Sequence, residues 1–279
     1  MVQTLRMITL TAIGVVVCAA SVHGQARPSG DPSIISSDAT LEAVFAGGSV
    51  LTEGVAAAPD GTIYFSDITF TFRSRDERGV SEAGFIWKYD PRSGKTTIFR
   101  SPSGMSNGIK FDASGNMIVA EGADFGGRKV TRTDMKTGKS YVIAGLFEGR
   151  PLNSPNDISI DEKGRIYFSD PRYLGHEPID QPIQAVYRID TDGSLHRIIT
   201  DAGKPNGVCV APDQKTIYVV SNDNGATANG RIPEETPTRK GRMALLAYDL
   251  HADGSAQFRE TLVDYNPEDG PDGLVSDVE

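Results

Sequence analysis

Residues 154–170 read Ser154-Pro155-Asn156-Asp157-Ile158-Ser159-Ile160-Asp161-Glu162-Lys163-Gly164-Arg165-Ile166-Tyr167-Phe168-Ser169-Asp170. Ile158 and Ile160 alternate with polar residues, the period of a half-buried strand. Asp161–Gly164 supplies a tight turn, with Gly164 free to take a positive φ. Ile166–Tyr167–Phe168 is a returning strand of β-branched and aromatic types. Asn156 stands just before the first strand.

The unit recurs. Residues 205–220 repeat it with Asn206 at the place of Asn156, and residues 106–120 repeat it with Asn107 there. Residues 52–67 carry Glu53, the turn Pro59–Asp60–Gly61 and a second Ile-Tyr-Phe-Ser-Asp run, Ile63 to Asp67. Residues 271–275 begin the unit again with Asp272. The steps are 54 residues from Glu53 to Asn107, then 49 to Asn156, 50 to Asn206 and 66 to Asp272. A polar insert at roughly 222–241 accounts for the long step. Further strands are expected at Phe85–Tyr89, Val186–Ile189 and Leu245–Tyr248. A period near fifty with strand-only patterning predicts an all-β chain, a β-propeller with one four-stranded blade per repeat.

Radial repetition sets equivalent positions on one ring about the central axis. Glu53, Asn107, Asn156, Asn206 and Asp272 therefore predict a ring of oxygen donors at one mouth of the channel. Such a ring suits a hard divalent cation, calcium first, with Mg2+, Mn2+ or Zn2+ as alternatives. The plainer reading is that Asn-Gly before a strand is turn chemistry. That reading accounts for one such position better than for five in register.

The ordered set Glu53–Gly54, Ser106–Asn107–Gly108, Leu152–Asp157, Pro205–Asn206–Gly207 and Pro271–Asp272–Gly273 resembles the senescence marker protein, gluconolactonase and luciferin-regenerating enzyme family. The resemblance runs from about residue 40 to the end of the sequence. It implies a six-bladed propeller holding one divalent cation through Glu53, Asn156, Asn206 and Asp272. It also implies hydrolysis of a small sugar lactone, with phosphotriesters as the alternative substrates of relatives. In that mechanism Asp272 is the general base, or a ligand that orients water, while Asn107 and Arg172 position sugar hydroxyls. Val55–Ala56 departs from the family, where many members have proline and an apolar pair ending in tryptophan. The rival of another class is a propeller scaffold whose calcium only pins the channel.

Residues 1–24 read as a secretory signal: Arg6, then a mostly apolar run from Met7 to Ala20, with cleavage near Gly24. The run is short for a bilayer, so no stable membrane span is expected after cleavage. The expected location is exported, periplasmic or extracellular. Val17 before Cys18 argues against a lipoprotein signal. Residues 25–38, with Pro28, Gly30 and Pro32, form a flexible lead-in, and 39–279 the propeller. Signal removal leaves one cysteine, Cys209, between Val208 and Val210, which reads as a buried small hydrophobe. The net charge of −9 excludes the basic face that nucleic acid requires. Nothing in the sequence specifies an oligomeric state.

The charged loops 71–83 and 170–184 both follow Ile-Tyr-Phe-Ser-Asp, so both should emerge at one end and wall a pocket. Arg172 and His176 lie in the second loop. Glu121, just past the Met117–Ala120 strand, is a further candidate for substrate binding; its alternative is a strand-end salt bridge. Nucleophile-elbow, zinc-protease and phosphate-loop motifs are absent, so hydrolysis would lean on the ion. The sequence stops early in its fifth repeat, and six blades would need about sixty more residues. A longer parent protein is therefore expected.

Overall fold

The structure is a computed structural model, and it describes residues 31–40, 42–45, 51–68, 84–226 and 239–276. The expected signal peptide, the whole of loop 71–83 and the middle of the 222–241 insert lie outside the described residues. The chain divides into two units, Met1–Ala46 and Gly47–Glu279. The described part of the first unit holds local turns, such as the Asp31 carboxylate accepting the Ser33 amide at 2.9 Å. No helix of the described residues is long and apolar enough to cross a membrane.

The second unit is all-β. Its four four-stranded sheets each run in sequence order and are antiparallel throughout. The first blade is β1 (Thr52–Ala57), β2 (Ile63–Asp67), β3 (Phe85–Asp90) and β4 (Lys95–Arg100). The second is β5 (Ser106–Phe111), β6 (Met117–Glu121), β7 (Lys129–Thr133) and β8 (Ser140–Ala144). A two-stranded hairpin, β9 (Leu146–Phe147) with β10 (Arg150–Pro151), follows. The third is β11 (Ile158–Ile160), β12 (Ile166–Asp170), β13 (Ala185–Ile189) and β14 (Leu195–Ile199). The fourth is β15 (Pro205–Val210), β16 (Thr216–Asn222), β17 (Met243–Leu250) and β18 (Ala256–Asp264). The three further strands expected from sequence fall within β3, β13 and β17.

Local chemistry closes the hairpins. In the third blade Gly164 sits at φ 80° and donates to the Asp161 carbonyl at 2.9 Å. The Asp161 carboxylate accepts the amides of Lys163 and Arg165. This is the aspartate-capped turn that the sequence motif requires.

The core lies between blades. Tyr64 and Ile86 of the first blade meet Ile109, Met117 and Val119 of the second. Ile118, Ala120 and Val130 of the second meet Ile158, Phe168 and Tyr187 of the third. Tyr167 and Val186 of the third meet Val208, Val219, Leu246 and Tyr248 of the fourth. Successive side chains of one strand thus enter two different cores, because strand side chains alternate in direction. The innermost strands are neighbours in order: β1 beside β5, β5 beside β11, β11 beside β15. This is propeller-type packing, and it brings the repeated positions together.

Candidate active site

Backbone irregularity aims the ring residues. The pairing register of β1 slips between Glu53 and Val55, that of β5 between Ser106 and Ile109, and that of β15 between Pro205 and Val208. A bulge bends its strand and re-aims one side chain. Glu53, Asn107 and Asn206 therefore sit within their strands at a bulge, not before them as the sequence reading had it; Asn156 does precede β11.

The ring is stitched from blade to blade. Gly108 donates its amide to the Asn156 carbonyl at 2.7 Å, and Gly207 to the Asp272 carbonyl at 3.0 Å. Ser66 Oγ donates to the Asn107 carbonyl at 2.7 Å, and Ser169 Oγ to the Asn206 carbonyl at 2.5 Å. Glycine is required after Asn107 and Asn206: a Cβ on Gly108 would lie 2.6 Å from the Asn156 oxygen, and one on Gly207 2.8 Å from that of Asp272. The exception is Asp157. Its carboxylate accepts the amides of Ile158 at 2.8 Å and Val208 at 2.9 Å, fastening the third blade to the fourth with a side chain.

All five ring residues line two cavities. One, of about 210 Å³, is also walled by Ser154, Tyr173, Leu174 and Asn222; the other, of about 380 Å³, by Val55, Ile109, Lys110, Asp157 and Leu274. The ring is the floor between them. The Asp272 segment is held by the Gly207 bond and by Asn222 Nδ2, which donates to the Pro271 carbonyl at 2.8 Å. Asn206 Nδ2 donates to Tyr173 Oη at 3.2 Å, and Tyr173 Oη donates to the Asn222 carbonyl at 2.9 Å.

The acids here are crowded. Burial, then the charges of Asp272 and Asp157, push the Glu53 carboxyl up to about 7. Burial pushes Asp157 up to about 6, against its two amide hydrogen bonds and Lys110. Burial also raises Asp272, partly offset by a hydrogen bond from Asn206. Burial raises the Tyr173 phenol strongly, so it keeps its proton. Among the described residues no three His, Cys, Asp or Glu side chains cluster as a metal site by themselves. The donor set is mixed, with two ring carboxylates and three amides. Oxygen donors with crowded acids fit a hard cation, which would relieve the repulsion that raises Glu53.

Two expected pocket residues are engaged elsewhere. Arg172 is 1% exposed, and its guanidinium donates to the carbonyls of Glu177 at 3.0 Å and Pro178 at 3.1 Å. Loop 171–184 has no strand partner for those carbonyls, so Arg172 supplies it from within. It is neither a cavity-wall residue nor a solvated surface arginine. Glu121 is buried among Arg100 at 3.3 Å, Lys129 at 3.5 Å and Thr131 Oγ1 at 2.9 Å, the strand-end salt bridge weighed as its alternative. His176 is half exposed, with Nδ1 2.6 Å from Asp124 Oδ1 and its ring stacked on Phe125.

Sequence reasoning missed Tyr173, Asn222 and Asp157 as residues that build the site. Asp157 had a signal, since it breaks the rule that glycine follows the ring residue. Tyr173 and Asn222 had none, because a loop and a strand end bring them in.

Four consecutive blades, stitched at an oxygen-rich ring beneath a cavity, define a propeller-type protein. The SMP-30/Gluconolactonase/LRE-like region matches residues 51–279, and the chain belongs to that family. A gluconolactonase of Zymomonas mobilis is 31% identical over 163 residues, 52% of this chain and 44% of that protein. The lactonohydrolase oryL of Aspergillus oryzae is 30% identical over 159 residues, 52% of this chain and 36% of that protein. The aligned regions thus span less than half the length of these curated relatives. The solved structure of XC5397 from Xanthomonas campestris, described as a gluconolactonase, superposes with a TM-score of 0.64 at 25% identity. The superposition covers 83% of this chain and 68% of that one.

Proposed function

We propose that this protein is a divalent-metal-dependent lactonase, a carboxylic ester hydrolase that opens a small lactone at the ring. Sugar lactones are the first substrates to test, since relatives are gluconolactonases. The observation that carries the reading is the convergence of Glu53, Asn107, Asn156, Asn206 and Asp272 at the floor of one cavity. Glu53, Asn156, Asn206 and Asp272 would hold the cation, with calcium preferred on the hardness of an all-oxygen set. A bound cation supplies Lewis acidity toward the lactone carbonyl oxygen.

The chain's own residues do the rest. Asp272 takes a proton from the attacking water as general base. The same proton is then delivered to the ring oxygen as the ester bond breaks. Tyr173 and Asn222 fix Asn206 and the Asp272 segment, so the base does not wander. Asn107, on the ring but outside the set of four, orients the substrate. A complete ring of six blades, and export by the Arg6–Ala20 leader, belong to the same reading.

The test is lactone hydrolysis by full-length protein with chelator and divalent-metal add-back. Asp272→Asn keeps an oxygen ligand of similar size and removes the basicity. Turnover should fall about a hundred- to ten-thousand-fold at saturating metal, while metal affinity falls only moderately. Near wild-type turnover would make Asp272 a structural ligand at most. Phosphotriester hydrolysis by the same parts is read in the same assay with a triester substrate. A scaffold would show no turnover in either, only a calcium-dependent melting temperature.

A further inference from the structure

The cavity above the ring has a mixed lining. Its polar part is the ring with Tyr173, Asn222 and Asn224. The same lining carries Ser154 and the apolar Leu51, Ile68, Met105, Ala123, Pro155 and Leu174. Ile68 and Met105 are buried and pack with Leu174 as a separate small apolar cluster, apart from the three cores between blades. Met105 holds a φ of 58°, a left-handed conformation that a side chain with a Cβ rarely takes. Strained backbone of this kind persists only where the surroundings enforce it, and it gathers at ligand sites.

No lysine, arginine or histidine among the described residues lines this cavity. Arg172 and Glu121, expected from the sequence to bind substrate, are held by Glu177 and Pro178 and by Arg100, Lys129 and Thr131. A polyol placed here would turn part of its hydroxyls onto carbon, and a hydroxyl desolvated without a partner is penalised. A hydrocarbon arm in the same place gains from burial.

We propose that the cavity selects lactones with a short hydrocarbon arm over densely hydroxylated sugar lactones; this rests on the lactonase reading. The ester group sits on the ring floor, and the arm lies against Ile68, Met105 and Leu174. Met105 and Leu174 are then the residues that set specificity.

The experiment compares γ-butyrolactones carrying ethyl, butyl and hexyl arms with D-glucono-δ-lactone, using metal-supplemented full-length protein. Calorimetry with the matching γ-lactams, whose cyclic amides resist hydrolysis, measures binding without turnover. Each added methylene should raise kcat/KM and lactam affinity about fourfold until the arm outgrows the cavity. Met105→Gln and Leu174→Gln, of similar size but polar at the tip, should each flatten that series. A flat series with faster gluconolactone turnover overturns the proposal and leaves the lactonase reading standing. Lactam affinity that rises with arm length, with no lactone hydrolysed, upholds the cavity's preference and overturns the lactonase reading. Neither turnover nor arm-dependent binding overturns both.

Discussion

The pentapeptide Ile-Tyr-Phe-Ser-Asp occurs twice, as β2 (63–67) and as β12 (166–170), each the second strand of its blade. The shared features are those a strand sets for itself. Tyr64 and Tyr167 both face the following blade, and Ser66 and Ser169 both donate to a ring carbonyl there. The differences come from neighbours. Ile166 and Phe168 are buried against the second blade, whereas Ile63 and Phe65 are half-buried and belong to none of the described core clusters. Both aspartates accept an amide from the segment before their blade, Asp170 those of Asn153 at 2.8 Å and Ser154 at 2.7 Å and Asp67 that of Leu51 at 3.4 Å, but Asp67 Oδ2 also accepts from Trp87 Nε1 at 3.1 Å. Identical sequence fixes direction and pairing; what stands opposite decides the energy of each side chain.

Phe168→Ala is the strongest way to test that difference. It should cost about 3–5 kcal/mol of stability, with Phe65→Ala costing less than half as much. Denaturant unfolding of both variants checks this. Equal losses would mean that the difference in burial between the two phenylalanines does not set their energies, and the comparison would break.

The ring ends of the two strands differ in role. Ser169 supports Asn206, one of the four proposed cation holders, and Ser66 supports Asn107, which is not. Asn206→Ala should weaken calcium binding on the order of a hundredfold, a loss of about 2.7 kcal/mol. Asn107→Ala should leave calcium affinity near wild type and raise KM. Calorimetric titration with calcium, read beside lactone kinetics, separates them; equal losses of affinity would place Asn107 among the ligands.

Asp170 gives the comparison a pH dependence. Burial pushes its carboxyl up to about 7, against the amide bonds from Asn153 and Ser154 and the charges of Arg128 and Arg172. An acid whose folded value lies above its unfolded one binds more protons when folded. Its contribution therefore favours the folded state below about 4 and declines as pH rises toward about 7. Asp170→Asn should flatten stability across that window, measured as melting temperature at pH 4 to 8. An unchanged slope would show that Asp170 stays charged throughout.

The smallest effect is at the serines. Ser169→Ala and Ser66→Ala each remove one hydrogen bond to a ring carbonyl and should each cost about 1 kcal/mol. Only Ser169→Ala should also reduce calcium affinity, by a few-fold in the same titration. The same reduction in Ser66→Ala would make the two strands equivalent after all.

The sequence by itself determined the strands, their turns and the ring. Alternation of apolar residues, aspartate-glycine turns and a period near fifty are local signals, and repetition alone maps Glu53, Asn107, Asn156, Asn206 and Asp272 to one circle. Tertiary structure decided everything that depends on which side chain lies opposite. It put Glu53, Asn107 and Asn206 on bulges, brought Tyr173 and Asn222 to Asn206, and turned Arg172 and Glu121 toward partners of their own. It also gathered Ile68, Met105 and Leu174 into an apolar cluster lining the cavity. The physical reason is range. Strand propensity and periodicity act between residues a few positions apart, whereas a buried charge or carbonyl takes its partner from chain far away in sequence, and no local pattern specifies that partner.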